Sequence, residues 1–159
     1  LLGVSRAGDM LAMDFPSLPP RPCAPPEGLV KALGKSPIAV LEERDYMVVY
    51  ENESQVRALK PNLARLKTFD KQGVIVTAKG DRADFVSRYF VPKLGIPEDP
   101  VTGSTHCSLV PFWAKMMKKD RLIAHQVSAR GGEIVCMQKT RRVYLAGHAV
   151  LYLRGAIEV

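Results

Sequence analysis

The sequence predicts an α+β fold, with a mixed or antiparallel β-sheet rolled around one central helix. Three observations carry this prediction. Short apolar or alternating runs of strand length recur along the chain, and a single long apolar stretch of helical length interrupts them at residues 104–118. No internal repeat or low-complexity linker divides the 159 residues, a length suited to one domain.

Met10 to Phe15 reads as a short strand, stopped by Pro16 and the proline-rich stretch to Pro26. Pro26 to Leu33 is a short helix with proline in its first turn and Gly34 as its stop. Pro37 to Glu42 and Tyr46 to Glu51 form a hairpin about the charged turn Glu43-Arg44-Asp45. Two short helices follow, Asn52 to Leu59 with Asn52 as cap, and Asn62 to Thr68. Gly73 to Ala78 is a buried-type strand, and Asp84 to Phe90 is a strand with both faces in use, since apolar residues occupy both of its alternating sets. The helix at 104–118 carries Leu109, Val110, Phe112, Trp113, Met116 and Met117, too many for one narrow stripe, so it is buried except at its basic end. Pro111 within it predicts a kink or a late start. Four further strands close the chain: Leu122 to Ser128, Glu133 to Gln138, Arg142 to Leu145 and Ala149 to Leu153.

Composition narrows the function classes. The charged fraction of 25% and hydrophobic fraction of 47% are those of an ordinary globular protein, and no apolar run approaches the roughly 20 residues that span a bilayer. Cys23, Cys107 and Cys136 are odd in number and lack CxxC spacing, which points to free thiols and a reducing, cytoplasmic setting. The net charge of +7 draws on Lys115, Lys118, Lys119, Arg121, Arg141 and Arg142. These read as a solvated face near a helix end rather than a nucleic-acid surface, because no nucleic-acid motif accompanies them. His106, His125 and His148 are dispersed without metal-ligand spacing, so no metal is expected.

The segment Gly95 to Cys107, GIPEDPVTGSTHC, is more polar than a connector requires. Ser104 and Thr105 are good cap types, and Gly103 leaves the backbone open to close approach. Free N–H groups at a helix start favour an anion, and Asp99 lies just upstream, placed to carry a proton to or from a bound anion. A turn at Asp99-Pro100 followed by a Ser104 cap accounts for the same spacing.

Longer motifs go further. The runs DFVSRYF, GIPEDPVTGSTHCSLVPFWAK, HQVSARGGEI and RVYLAGHAVLYLRGAI, together with DMLAMDFPSLPP near the start, resemble the C-terminal half of the phenazine-biosynthesis PhzF-like family. The resemblance implies one lobe, residues 1–159, of the two-lobed diaminopimelate-epimerase-like fold, with residues 1–9 a remnant of the inter-lobe linker. It implies an isomerase or epimerase that needs no cofactor and shifts a proton on a small anionic substrate held between the lobes. Asp99 matches the family's second-lobe acid. Gly103 and Ser104 match its substrate contacts, with Thr102 and Thr105 flanking them. Tyr89, His106 and Arg130 are candidates for the cleft lining. Cys107 falls inside the helix and reads as a buried, inert thiol.

The family's first-lobe glutamate and histidine motif have no match in these 159 residues. One of two partners is therefore expected for the site: an N-terminal lobe, or a second copy of the chain as a homodimer covering the exposed apolar face. A catalytically incomplete lobe serving as an interaction protein is the alternative function.

Overall fold

The computed structural model describes residues 3–157. Among them, eleven strands form one sheet in the order β1-β2-β11-β10-β9-β7-β6-β5-β4-β3, with β8 paired to β7 beside this path. In chain order these are β1 (Gly3–Ala7), β2 (Met10–Pro16), β3 (Arg21–Pro22), β4 (Ala39–Glu42), β5 (Tyr46–Val49), β6 (Val74–Lys79), β7 (Phe85–Phe90), β8 (Glu98–Asp99), β9 (Arg121–Gln126), β10 (Gly132–Gln138) and β11 (Arg142–Gly147). The helices are α1 (Leu29–Leu33), α2 (Glu53–Ala58), α3 (Leu63–Leu66) and α4 (His106–Met117). The sheet is mixed: β5 with β6 and β7 with β9 are parallel, and the other pairs are antiparallel. Among the described residues, no helix is long and apolar enough to cross a membrane.

Strand periodicity builds two cores back to back. Met47 and Val49 of β5, Ile75 of β6, and Phe85 and Tyr89 of β7 point to α4. Their alternates Tyr46, Val48, Val74, Val76, Val86 and Phe90 pack against α1, α2 and α3. The first core continues through Leu122, Ala124, Cys136, Val143 and Leu145 of β9 to β11, so the sheet curves about α4. Leu109 and Val110 are fully buried at its centre, each contributing roughly 1.5–3 kcal/mol by burial. Trp113 stacks on Phe85 at 5.7 Å and donates its Nε1–H to Thr77 Oγ1 at 3.0 Å. As the alternating residues predict, β7 uses both faces.

Asn52 caps α2 and Asn62 caps α3, each side chain accepting the amide three residues on. Pro111 neither delays nor ends α4, which runs through it from His106. Proline has no N–H for the carbonyl four residues back, and that carbonyl, Cys107, accepts the amide of Leu18 at 2.8 Å instead. The lost helix bond thus ties the segment after β2 onto α4.

Gly3–Ala7, within the segment read as a linker remnant, is strand β1, paired in register with β2. One expectation at the other end of the chain changes. Residues 149–153, expected as a strand, carry none. Val150, Leu151, Tyr152 and Leu153 are exposed and join no ladder among the described residues, β11 ending at Gly147.

Candidate functional site

The opening of α4 is shaped by the strand before it. After β7 the chain makes a short turn at Pro92–Leu94, closed by Gly95 at φ 85°, a conformation that suits glycine. It then returns as β8, placing Glu98 opposite Phe90 and Asp99 opposite Tyr89. Arg88 fixes this return: its guanidinium grips Glu98 through two contacts of 2.8 Å. Its third nitrogen donates to the carbonyls of Val56 and Leu59, which end α2. The Asp99 backbone is therefore anchored to the sheet on one side and, through its neighbour, to α2.

Thr102 is the hub of the turn that follows. Its hydroxyl donates to Asp99 Oδ2 at 2.6 Å, and its amide donates to Gln126 Oε1 at 2.8 Å. Its carbonyl accepts His106 Nδ1–H at 2.7 Å and the Thr105 hydroxyl at 3.2 Å. Gln126 Nε2 donates in turn to the Asp99 carbonyl at 2.6 Å and to Thr102 Oγ1 at 3.1 Å. Ser128 adds a hydroxyl bond to the Pro100 carbonyl at 2.7 Å. The HQVSARGG motif is thus the brace behind the Asp99 loop. Its Gly131 (φ 72°) makes the turn, and Gly132 lies against Val101 where a Cβ would come within 2.5 Å.

Ser104 and Thr105 do not cap α4 through their side chains. Thr105 spends its hydroxyl on Thr102, while Ser104 Oγ accepts from Arg44 Nη2 at 3.1 Å. Arg44 comes from the β4–β5 turn and also holds Asp45 with two nitrogens at 2.8 and 3.1 Å. Asp45 is buried and receives the Tyr89 hydroxyl at 2.8 Å. Burial, together with the Asp45 charge, pushes the Tyr89 phenol far up, so it stays a neutral donor. Tyr89 therefore lies in the core rather than at a cleft rim. Among the described residues the amides of Gly103, Ser104 and Thr105 have no hydrogen-bond partner, which is the usual state of a helix's first donors. The opening of α4 thus presents free amides, a cation and a half-buried carboxylate within one turn.

The remaining candidates separate. His106 has no exposed surface, packs on Phe85 at 5.9 Å between ring centres, and is no cleft residue. Burial pushes its imidazole down to about 4, so it is neutral at pH 7; its Nε2 is buried without a partner among the described residues. Cys107 is buried and its thiol is pushed up by that burial, in keeping with an inert role. Arg130 is exposed and lines an open groove of about 520 Å³ with Arg57, His125 and Glu133, behind the brace rather than at the helix start. Gly103 instead borders a smaller, apolar hollow of about 300 Å³ with Leu11, Met13, Val101 and Leu145. Gln126, Arg44 and Asp45 have places here that local sequence does not signal. Gln126 lies in a recognisable motif, but the charged turn carries no mark of its contact with Ser104, sixty positions on.

The pattern of the phenazine biosynthesis-like proteins matches residues 27–155, and the chain belongs to that family. A relative from Pseudomonas aeruginosa, named an uncharacterized isomerase, is 49% identical, covering 99% of this chain and 61% of its own length. The mouse phenazine biosynthesis-like domain-containing protein 1 is 34% identical, with 98% and 62% covered. The crystal structure of a PhzF-family phenazine biosynthesis protein from Enterococcus faecalis superposes with a TM-score of 0.92 at 39% identity, over 98% of this chain and 60% of that one. A Pseudomonas aeruginosa structure described as a predicted epimerase shares the fold at a TM-score of 0.64 and 17% identity. The chain therefore spans about three-fifths of these relatives' length, more than the half expected.

Proposed function

We propose that this chain is the C-terminal lobe of a two-lobed isomerase or epimerase that moves a proton on a small carboxylate substrate without a cofactor. The substrate anion sits at the opening of α4, on the amides of Gly103 and Ser104, with Thr102 and Thr105 shaping the turn. Asp99 takes or returns the proton. The observation that carries this reading is the pairing of the Asp99 carboxylate with the Thr102 hydroxyl at 2.6 Å, one turn from free helix-start amides. A single carboxylate does half of a two-base proton shift, so an acid–base group from a facing lobe completes the site.

The test is solvent exchange. The full-length protein, incubated in deuterium oxide with a panel of small cyclic and acyclic carboxylic acids, incorporates deuterium at a carbon-bound position of its substrate. Asp99→Asn cuts that incorporation by about 10²–10⁴-fold, the usual worth of a positioned acid–base group. Unchanged incorporation in the variant removes Asp99 from the role.

A second reading, that the lobe acts as a homodimerising interaction protein, is favoured by one observation. Val4, Leu11 and Met13 are exposed on the same sheet face that α4 covers further along, beside Gly103. Sedimentation equilibrium separates the two readings, since a chain that stays monomeric at micromolar concentration cannot act through pairing.

A further inference from the structure

We infer that Gln126 and Thr102 are positioning residues that set the direction of the Asp99 carboxylate; this rests on the proposed acid–base role of Asp99. Gln126 is 1% exposed, and its amide has no freedom left. The oxygen accepts the Thr102 amide, so the nitrogen faces the Asp99 carbonyl and Thr102 Oγ1. A flipped amide would oppose acceptor to acceptor and donor to donor. With Gln126 donating to it, Thr102 Oγ1 has its own proton to give, and the carboxylate receives it. His106 Nδ1–H holds the Thr102 carbonyl from the core side. The three polar atoms of Thr102 are thus all engaged, and the single donor aimed outward from the hub points at Asp99 Oδ2. Asp99 Oδ1 carries no hydrogen bond among the described residues, so the relay leaves one carboxylate oxygen to face a substrate. Core filling alone would be served by leucine, and it would not require this order of donors and acceptors.

The test uses the 159-residue chain and needs no substrate. In ¹⁵N-labelled protein the Thr102 amide resonance moves with pH as Asp99 ionises, and Asp99→Asn abolishes that movement. Thr102→Val abolishes it too, while Thr102→Ser, which keeps the hydroxyl, preserves it. Gln126→Leu also abolishes it, and speeds exchange of the Thr102 amide about tenfold relative to buried β6 amides, the size of one lost hydrogen bond. General destabilisation would instead speed both sets together. The inference is overturned if Thr102→Val retains the Asp99-linked movement, or if folded Gln126→Leu leaves movement and exchange unchanged. Should Gln126→Leu not fold, the Thr102 pair decides alone. Failure of Asp99→Asn to affect deuterium incorporation overturns the proposed function but leaves these resonances as described, so the two failures are distinguishable.

Discussion

Acid is the sharpest probe of this core, because it acts on His106. The ring is wholly buried, its Nδ1–H is committed to the Thr102 carbonyl, and its Nε2 meets no partner among the described residues. Burial lowers its pKa from 6.5 to about 4 in the folded chain, against the ordinary value when unfolded. The sign follows from proton binding. Between these two values the unfolded chain holds a proton that the folded chain refuses, so stability falls as pH falls. The contribution is fully present above about pH 6.5, has lost about 2 kcal/mol by pH 5, and levels off at a loss of about 3 kcal/mol below pH 4. Urea unfolding at pH 7.5 and pH 5, on the native chain and on His106→Gln, reads this directly. The variant is less stable at pH 7.5, having lost its packing on Phe85, but its decline between the two pH values is about 2 kcal/mol smaller. His125 and His148 are present in both proteins and cancel in the comparison. Equal declines would refute the reasoning, as would an NMR titration showing His106 protonated at pH 6 in the folded state.

Three further outcomes follow from single contacts. Arg88→Met leaves Glu98 and the Val56 and Leu59 carbonyls unmatched; it costs about 2–4 kcal/mol in urea unfolding, and Arg88→Lys recovers only part of it. Gly73→Ala drives a Cβ to within 2.5 Å of the Tyr89 ring, and thermal unfolding shows a loss of about 1–3 kcal/mol together with a changed tyrosine signal in near-ultraviolet circular dichroism. Under native conditions at pH 8, iodoacetamide labels Cys23, which is partly exposed. Buried Cys107 and Cys136 stay unlabelled until urea is added, with the Cys136 thiol pushed up to about 12, as peptide mass spectrometry would show.

Local chemistry made much of this fold legible. The Asn52 and Asn62 caps, the hairpin about Glu43–Asp45 and the two-faced alternation of β7 depend on neighbours within four positions, and they are as the residues predict. Other placements are not written locally. Ser104 and Thr105 have the residue types of a helix cap, yet Arg44 and Thr102 compete for their hydroxyls and win. Residues 149–153 are an apolar run of strand length, yet they join no ladder among the described residues, and a strand without a ladder leaves its backbone to water.

By itself, then, the sequence determined most of the element types, the buried helix and the family, because periodicity and motif order survive without knowledge of what packs where. The tertiary structure alone decided the sheet order and which polar atoms meet. Asp45 reaches Tyr89 across 44 positions, and Gln126 reaches Asp99 and Thr102 across 27 and 24. Such contacts exist only once the sheet has curved about α4, since only that curvature brings β9, the β4–β5 turn and the Asp99 loop to one end of the helix.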